Sequence, residues 1–388
     1  MSGLRFPKEE FTSRVKIVRG AMEREGIEVL AVFSSPGSMR YGQRGHVMYL
    51  SGYEPYFGNT MMILPLDVDL GAVLMIDSAD FFPSDCTWID VRKKAQDPVA
   101  LIRQYLDENR LGDASVGIAG EYSVDPKLVD GLRLELRGNK LAFASKILER
   151  ARSVKSPYEI GCISDAVAIA EKGFEALREH ARAGVSERTL VAEMEKACRE
   201  AGSEAFPHHT MVTFGSDPKH LDWWWYCGDR KLAEGDLFNV DTGMMSRGYC
   251  CDMSRSLSLG PVPPPNRAAY RVLADAFEAA RKQCRPGVAA SAVNEAVAEV
   301  MAEEFEGDFS GVGHGIGLEV HEWPFVGYEY IRNDPIYEDS VLEEGMVLSI
   351  EPQITLPKAG DLQLEDEVVV SSSGGKRLST LRQEIIEC

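Results

Sequence analysis

The sequence predicts an α+β protein with two domains. Its 388 residues are more than one ordinary hydrophobic core requires. About the first 150 residues alternate between helical and strand-like patterns, which is typical of an α/β layer arrangement. The remainder contains long helical segments and two strand–turn–strand segments, which indicates antiparallel hairpins with helices packed outside them.

Hydrophobic periodicity places the elements of the first domain. We expect helices at 11–25 and 98–109, and strands at 29–34, 60–65 and 72–76. A capping box, formed by Ser156 and Glu159 with Pro157 at the first helical position, opens the second domain. That helix should run to about residue 180, and further helices are expected at 186–201 and 267–284.

The first predicted hairpin carries two aspartates. Strands at 236–243 and 249–259 flank a turn-like Ser246-Arg247-Gly248. The midpoint of positions 241 and 252 is 246.5, so a simple hairpin would set Asp241 directly opposite Asp252. Directly opposed residues have Cβ atoms about 4.5–5.5 Å apart, and like charges at that distance repel.

The second predicted hairpin repeats this arrangement with two glutamates. Strands at 345–356 and 361–371 flank residues 357–360, and the midpoint of positions 351 and 365 is 358. Glu351 and Glu365 should therefore face each other. A single opposed pair could be solvated surface, whereas two pairs and the glycine-flanked His314 favour cations between them.

These ligand types indicate the kind of site. Four carboxylates and one imidazole suit two hard, exchangeable divalent ions, whereas closed structural zinc sites usually use thiolates or several imidazoles. The sequence therefore predicts a catalytic metal centre formed by Asp241, Asp252, His314, Glu351 and Glu365.

The same stretches resemble a known family. Two aspartates lie eleven positions apart, and four motifs follow them in the same order as in the creatinase/aminopeptidase P/prolidase superfamily. These motifs are Gly313-His314-Gly315-Ile316-Gly317, His321-Glu322-Trp323-Pro324, Ile350-Glu351-Pro352 and Leu364-Glu365-Asp366. That superfamily has a pita-bread catalytic domain, a curved antiparallel sheet with outer helices, preceded by a smaller α/β creatinase-type N-terminal domain. The resemblance implies domains at 1–152 and 153–388.

The resemblance also implies roles for individual residues. Asp241 would chelate one ion, His314 and Glu351 the other, and Asp252 and Glu365 would bridge them. The ions would be Mn, Co, Zn or Fe, and a metal-bridging hydroxide would hydrolyse an amide of an Xaa-Pro dipeptide or short peptide. Glu351 would handle the proton, while His321 and His220 would stabilise the intermediate or contact substrate. A long insert separates His220 from Asp241, so His208 or His209 could take its role.

Composition bears on partners and location. A net charge of −19 without a basic cluster argues against nucleic-acid and anionic-membrane partners. No apolar stretch approaches the length of a membrane span, and the first ten residues lack the apolar core of a signal peptide. Eight cysteines without CxxC spacing are typical of reduced thiols. We therefore expect a cytoplasmic enzyme, and the resemblance implies a homodimer.

Two departures concern the substrate. Proline-directed relatives usually carry an arginine two residues before the last glutamate and a histidine four residues before the metal histidine, where this chain has Gln363 and Ser310. The Trp223–Trp225 cluster could form a cage for a quaternary ammonium or sulfonium group, or could pack against the core or a partner. Alternative functions are therefore a dimethylsulfoniopropionate lyase-like enzyme and a creatinase- or ectoine-hydrolase-like C–N hydrolase. A non-enzymatic binding module is a third possibility, which the complete ligand set disfavours.

Overall fold

The computed structural model describes residues 4–36, 44–56, 58, 60–76, 86–89, 91–94, 97–121, 124–214, 226–305, 309–310, 313–327, 339–356 and 360–388. The chain divides into two compact units, Met1–Arg152 and Ser153–Cys388. Among the described residues, no helix is both long and apolar enough to cross a membrane.

The first unit is a mixed sheet with helices. Its strands are β1 (Val29–Ser34), β2 (Thr60–Pro65), β3 (Val73–Ile76), β4 (Val91–Lys94), β5 (Val116–Ala119) and β6 (Leu141–Phe143). Its helices are α1 (Lys8–Glu25), α2 (Gly45–Ser51), α3 (Pro98–Glu108), α4 (Pro126–Glu135) and α5 (Ser145–Ser153). The strand order is β4-β3-β2-β1-β5-β6. The predicted strands 29–34 and 60–65 are confirmed with the same bounds, because both are continuous apolar runs that the structure buries completely.

The second unit begins with two helices and an antiparallel hairpin. Its helices are α6 (Pro157–His180), α7 (Glu187–Glu200), α8 (Pro264–Gln283) and α9 (Ala290–Glu304). Its first strands are β7 (Met211–Phe214), β8 (Leu237–Thr242), β9 (Met245–Ser246), β10 (Tyr249–Cys250) and β11 (Met253–Ser258). Those that follow are β12 (Phe309–Ser310), β13 (Gly313–Gly315), β14 (Glu322–Val326), β15 (Val347–Ile350), β16 (Gln353–Leu356), β17 (Gly360–Val369), β18 (Lys376–Arg377) and β19 (Ile386–Glu387).

The capping box predicted for α6 is confirmed. The Ser156 hydroxyl accepts from the Glu159 amide, and the Glu159 carboxylate accepts from the Ser156 amide. These two bonds satisfy amide groups that a helix start otherwise leaves without partners.

The main sheet of this unit is antiparallel along the path β14-β13-β15-β17-β11-β8-β7. One apolar core lies between the pair α8–α9 and the strands β15 and β17. A second core lies between the pair α6–α7 and the strands β8 and β11. Each helix pair therefore covers one hairpin, as expected for helices packed outside a curved sheet.

The register of the first hairpin differs from the prediction. Ser246 pairs with Tyr249, so the turn consists of Arg247 and Gly248 alone, with φ values of 50° and 83°. Two central residues with positive φ make a type I′ turn. The centre of the hairpin therefore lies one residue later than predicted, and Asp241 faces Ser254 rather than Asp252. The predicted direct opposition of the two aspartates is wrong, although a shift of two positions keeps a side chain on the same face.

The register of the second hairpin agrees with the prediction. Ile350 pairs with Asp366 and Gln353 pairs with Gln363, so the intervening Glu351 falls opposite Glu365. The prediction that these glutamates face each other is therefore confirmed.

Candidate active site

The predicted ligands lie on, or directly beside the ends of, five neighbouring strands of the sheet. Along the sheet order β13-β15-β17-β11-β8, His314 lies on β13, Glu351 just after β15, Glu365 on β17, Asp252 just before β11 and Asp241 on β8. Ser254 faces both Asp241 and Glu365, so a neutral side chain separates these two carboxylates in the ladder. The sheet thus gathers four acidic groups and a histidine, although they are distributed over more than a hundred residues of the chain.

His314 lies among three of the carboxylates. Its buried Nε2 is 3.7 Å from Asp252 Oδ2, 3.7 Å from Glu351 Oε1 and 4.0 Å from Glu365 Oε1. The Nδ1–H donates to the Gly315 carbonyl at 3.0 Å, which directs the Nε2 lone pair at the carboxylates. Within the described part of the chain, Nε2 has no hydrogen-bond partner. A buried imidazole nitrogen surrounded by carboxylates at these distances fits a cation between them.

Asp252 lies between two histidines of the cluster, His208 and His314. Its Oδ1 lies 2.9 Å from His208 Nε2, while its Oδ2 points at His314. Burial alone would raise the pKa of Asp252, but His208 and the other nearby histidines bring it below its ordinary value. Burial alone would lower the pKa of His208, whereas Asp252 and then Asp241 raise it to about 9.

The pKa of Glu365 is shifted in the opposite direction from that of Asp252. Its carboxylate is buried and accepts from the Ser349 hydroxyl at 2.7 Å. Burial raises the pKa of Glu365 well above its ordinary value, and the neighbouring Asp252, Glu351 and Asp241 carboxylates raise it further. The crowding of like charges in a buried place is the electrostatic condition that bound cations relieve.

Two buried groups behind the ligands fix the backbone. Glu367 Oε1 accepts from the Asp252 amide at 2.5 Å. Arg255 donates to the Glu365 carbonyl at 2.7 Å and to Asp366 Oδ1 at 2.7 Å, and both ionic side chains are fully buried. These contacts join β11 to β17 beside two of the ligands.

His321 belongs to the same cluster. Its ring centroid is 4.1 Å from that of His314, and Asp252, His314 and His321 can offer ligand atoms within 4.8 Å of one another. The adjacent Glu322 carboxylate is buried, accepts from the Glu319 amide at 3.0 Å and pairs with Lys155 at 3.4 Å. This ion pair fixes the segment that carries His321.

Not every predicted residue can be placed. His220 and Trp223–Trp225 lie outside the described residues, and at Ser310 the side chain does too. His208, named in the sequence only as a substitute for His220, lies against Asp252. The sequence reasoning missed Ser349, Arg255 and Glu367, whose contacts depend on pairing between distant strands. A charged residue within an otherwise uncharged strand, as with Arg255 in β11, was the available signal.

The geometry fits one class of protein. Carboxylates and an imidazole gathered on a helix-covered antiparallel sheet are the groups with which a metal-dependent hydrolase binds its ions. Residues 161–372 match the model of metallopeptidase family M24, and residues 14–154 match the creatinase/prolidase N-terminal domain. The chain belongs to metallopeptidase family M24, a family that uses divalent metal ions. The predicted fold class, a pita-bread domain after a creatinase-type domain, is confirmed.

Individual relatives agree over nearly the whole chain. The Xaa-Pro dipeptidase of Pyrococcus horikoshii is 25% identical over 377 residues, which cover 96% of this chain and 98% of that protein. The crystal structure of dipeptidase PepE from Mycobacterium ulcerans matches with a TM-score of 0.78 and 25% identity, covering 98% of this chain and 99% of the other. The X-Pro aminopeptidase of Thermotoga maritima shares the fold, with a TM-score of 0.81 at 23% identity over 96% of this chain and 99% of its own.

Proposed function

We propose that this chain is a dinuclear Xaa-Pro dipeptidase or aminopeptidase that hydrolyses a dipeptide or short peptide. The observation that carries this proposal is the buried His314 Nε2, which has three carboxylates within 4.0 Å and no hydrogen-bond partner among the described residues. The similarity to an Xaa-Pro dipeptidase supports the substrate class.

The ligand geometry supports a division between two ions. Asp241 would hold one ion, and His314 and Glu351 the other. Asp252 suits a bridging role, because one of its oxygens lies near His208 and the other near His314. Glu365 would be the second bridge. Mn²⁺, Co²⁺, Zn²⁺ and Fe²⁺ all accept this mixture of carboxylate and imidazole.

The chain's own groups would supply proton transfer and orientation. Bound ions would polarise the scissile carbonyl and acidify a water molecule. Glu351 has 27% of its side-chain surface exposed, against 2% for Glu365, so it is the better placed of the two to pass a proton from water to the leaving amine. His321 would donate from its ring to the substrate oxygen. His220 stays a second candidate for substrate contact.

The substrate side has a specific alternative. Gln363 stands where proline-directed relatives usually carry arginine, so the cation that they carry at this position is missing. This observation favours a small-molecule C–N hydrolase, or a lyase acting on dimethylsulfoniopropionate, as the second candidate.

The remaining features of the proposal concern organisation. We assign the N-terminal domain to 1–152 and the catalytic domain to 153–388, which coincide with the two compact units. Eight cysteines without CxxC spacing are typical of reduced thiols, which supports a reducing, cytoplasmic location. A homodimer is expected from the resemblance.

Metal content and substrate assays test the proposal together. Purified protein should bind near two ions per chain by plasma mass spectrometry, and Mn²⁺-loaded protein should cleave Gly-Pro or a tripeptide with proline second. Asp241→Ala should abolish both properties, and wild-type metal content in that variant would contradict its ligand role. Turnover of dimethylsulfoniopropionate without peptide cleavage would favour the lyase, and no bound metal after reconstitution would refute the dinuclear site.

A further inference from the structure

His208 lies beside the aspartates of the proposed metal centre. Its Nε2 is 2.9 Å from Asp252 Oδ1 and 3.9 Å from Asp241 Oδ1, and its side chain is buried. His208, Asp241 and Asp252 can offer ligand atoms that all lie within 4.8 Å of one another. The half of the cluster that contains Asp241 therefore includes an imidazole as well as carboxylates.

The His208 ring is held in the same way as the His314 ring. In each residue Nδ1–H donates to the carbonyl of the following residue, at 2.9 Å for His208 and 3.0 Å for His314. A carbonyl can only accept, so this bond keeps a proton on Nδ1 and aims Nε2, which is hydrogen-bonded to Asp252 Oδ1 in the metal-free protein, at the carboxylates. Metal-binding histidines are oriented by this kind of bond from their other nitrogen.

Gly243 provides the space that His208 occupies. A Cβ at position 243 would lie 2.6 Å from the Cys251 carbonyl oxygen, 2.6 Å from Pro207 Cγ and 3.0 Å from His208 Nε2. The first two distances are closer than a Cβ approaches its neighbours, so this position needs glycine both for the backbone of the hairpin and for the packing of Pro207. The same glycine leaves room for the His208 ring beside the end of β8.

The separation of the atoms fits coordination to one ion. Two ligands bound at about 2.1 Å with an angle of about 90–110° lie roughly 3.0–3.4 Å apart. The observed 2.9 Å between His208 Nε2 and Asp252 Oδ1 is close to that range. The 3.9 Å between His208 Nε2 and Asp241 Oδ1 would fit two ligands of one ion at a wider angle.

We propose that His208 is a sixth ligand of the metal centre and binds, through Nε2, the ion on the Asp241 side. This inference rests on the proposed dinuclear site. Each ion then has one imidazole, His208 on one side and His314 on the other. Imidazole ligation shifts the preference of the Asp241 side from Mn²⁺ towards Co²⁺ and Zn²⁺.

Co²⁺ titrations followed by calorimetry and visible absorption test this ligand. The variant is His208→Gln, whose amide can still donate to Asp252 but is a poor metal ligand. The matched control is His209→Ala, which removes an exposed imidazole one position away and keeps the backbone carbonyl that accepts from His208. Circular dichroism and thermal melting of the metal-free proteins verify folding, and His208→Ala with added imidazole serves as a second variant.

We expect wild-type protein and the control to bind two Co²⁺ ions. His208→Gln should bind one ion at least about tenfold more weakly with an altered Co²⁺ spectrum, and free imidazole should restore both properties in His208→Ala. Unchanged affinity and spectrum in a folded His208→Gln would overturn the inference and leave the dinuclear site intact. Wild-type protein that binds no Co²⁺ would refute the dinuclear site itself.

Discussion

Replacing Arg255 by methionine should destabilise the catalytic domain by about 3 kcal/mol. The guanidinium is fully buried and makes short hydrogen bonds to the Ser254 carbonyl, the Glu365 carbonyl and Asp366 Oδ1. Removing one member of a buried ion pair costs about 3–5 kcal/mol, because the other charge stays in a dry environment. Asp366 keeps a contact with Arg377 at 3.3 Å, which places the expected cost at the lower end.

Thermal unfolding of the metal-free protein measures this cost. For a domain of roughly 150–250 residues, each kcal/mol lowers Tm by about 2–4 °C, so a fall of about 6–12 °C is expected. Arg377→Met is the matched control, because Arg377 contacts the same carboxylate but has 26% of its side-chain surface exposed. Its removal should cost less than about 1 kcal/mol.

A double substitution completes this test. Combining Arg255→Met with Asp366→Leu removes both buried charges and should recover at least half of the lost stability. Equal losses in Arg255→Met and Arg377→Met, or a double variant no more stable than Arg255→Met, would refute this reasoning. Arg255→Met should also weaken metal binding about tenfold, since its guanidinium holds the backbone of Glu365.

Three further predictions concern charge at the site. The folded-state pKa of Glu365 is raised, so the metal-free protein loses stability as pH rises above the ordinary pKa of 4.5. Glu365→Gln should therefore raise Tm at pH 7 but not at pH 4. The same variant should abolish the Tm increase that Mn²⁺ gives the wild type. Gln363→Arg should raise kcat/KM for Gly-Pro about tenfold if the missing cation limits binding, and unchanged kinetics would leave specificity unexplained by that position. Lys155→Met leaves the buried Glu322 without its ammonium partner and should cost about 3 kcal/mol in urea unfolding; a loss no larger than that of the exposed Lys172→Met would contradict it.

Local patterns explain what could be predicted about the fold. The α6 capping box and the strands β1 and β2 depend on neighbours in the chain, and each was predicted from the sequence. The register at Glu351 and Glu365 was also predictable, because the pairing of β16 with β17 is centred on position 358. The register at Asp241 was not, because Arg247 adopts a positive φ that residues other than glycine rarely adopt.

Contacts behind the ligands lay beyond sequence reasoning. Arg255 is joined to Asp366 and to the Glu365 carbonyl across more than a hundred residues of chain. Nothing in the local pattern indicates that β11 and β17 are neighbours, because strand pairing depends on how much apolar surface the whole domain buries. His208 was recognised as a histidine near the site, but its partner depends on the same long-range packing.

The sequence by itself determined the chemistry of the site and most of its local frame. Carboxylates and a histidine in short motifs indicated divalent metal ions, and periodicity located the helices and hairpins that carry them. Only the tertiary structure decided the order β13-β15-β17-β11-β8, which sets these groups side by side. The physical reason is that side-chain chemistry and hairpin formation are local, whereas the distance between carboxylates on different hairpins follows from burying both helix pairs against one sheet.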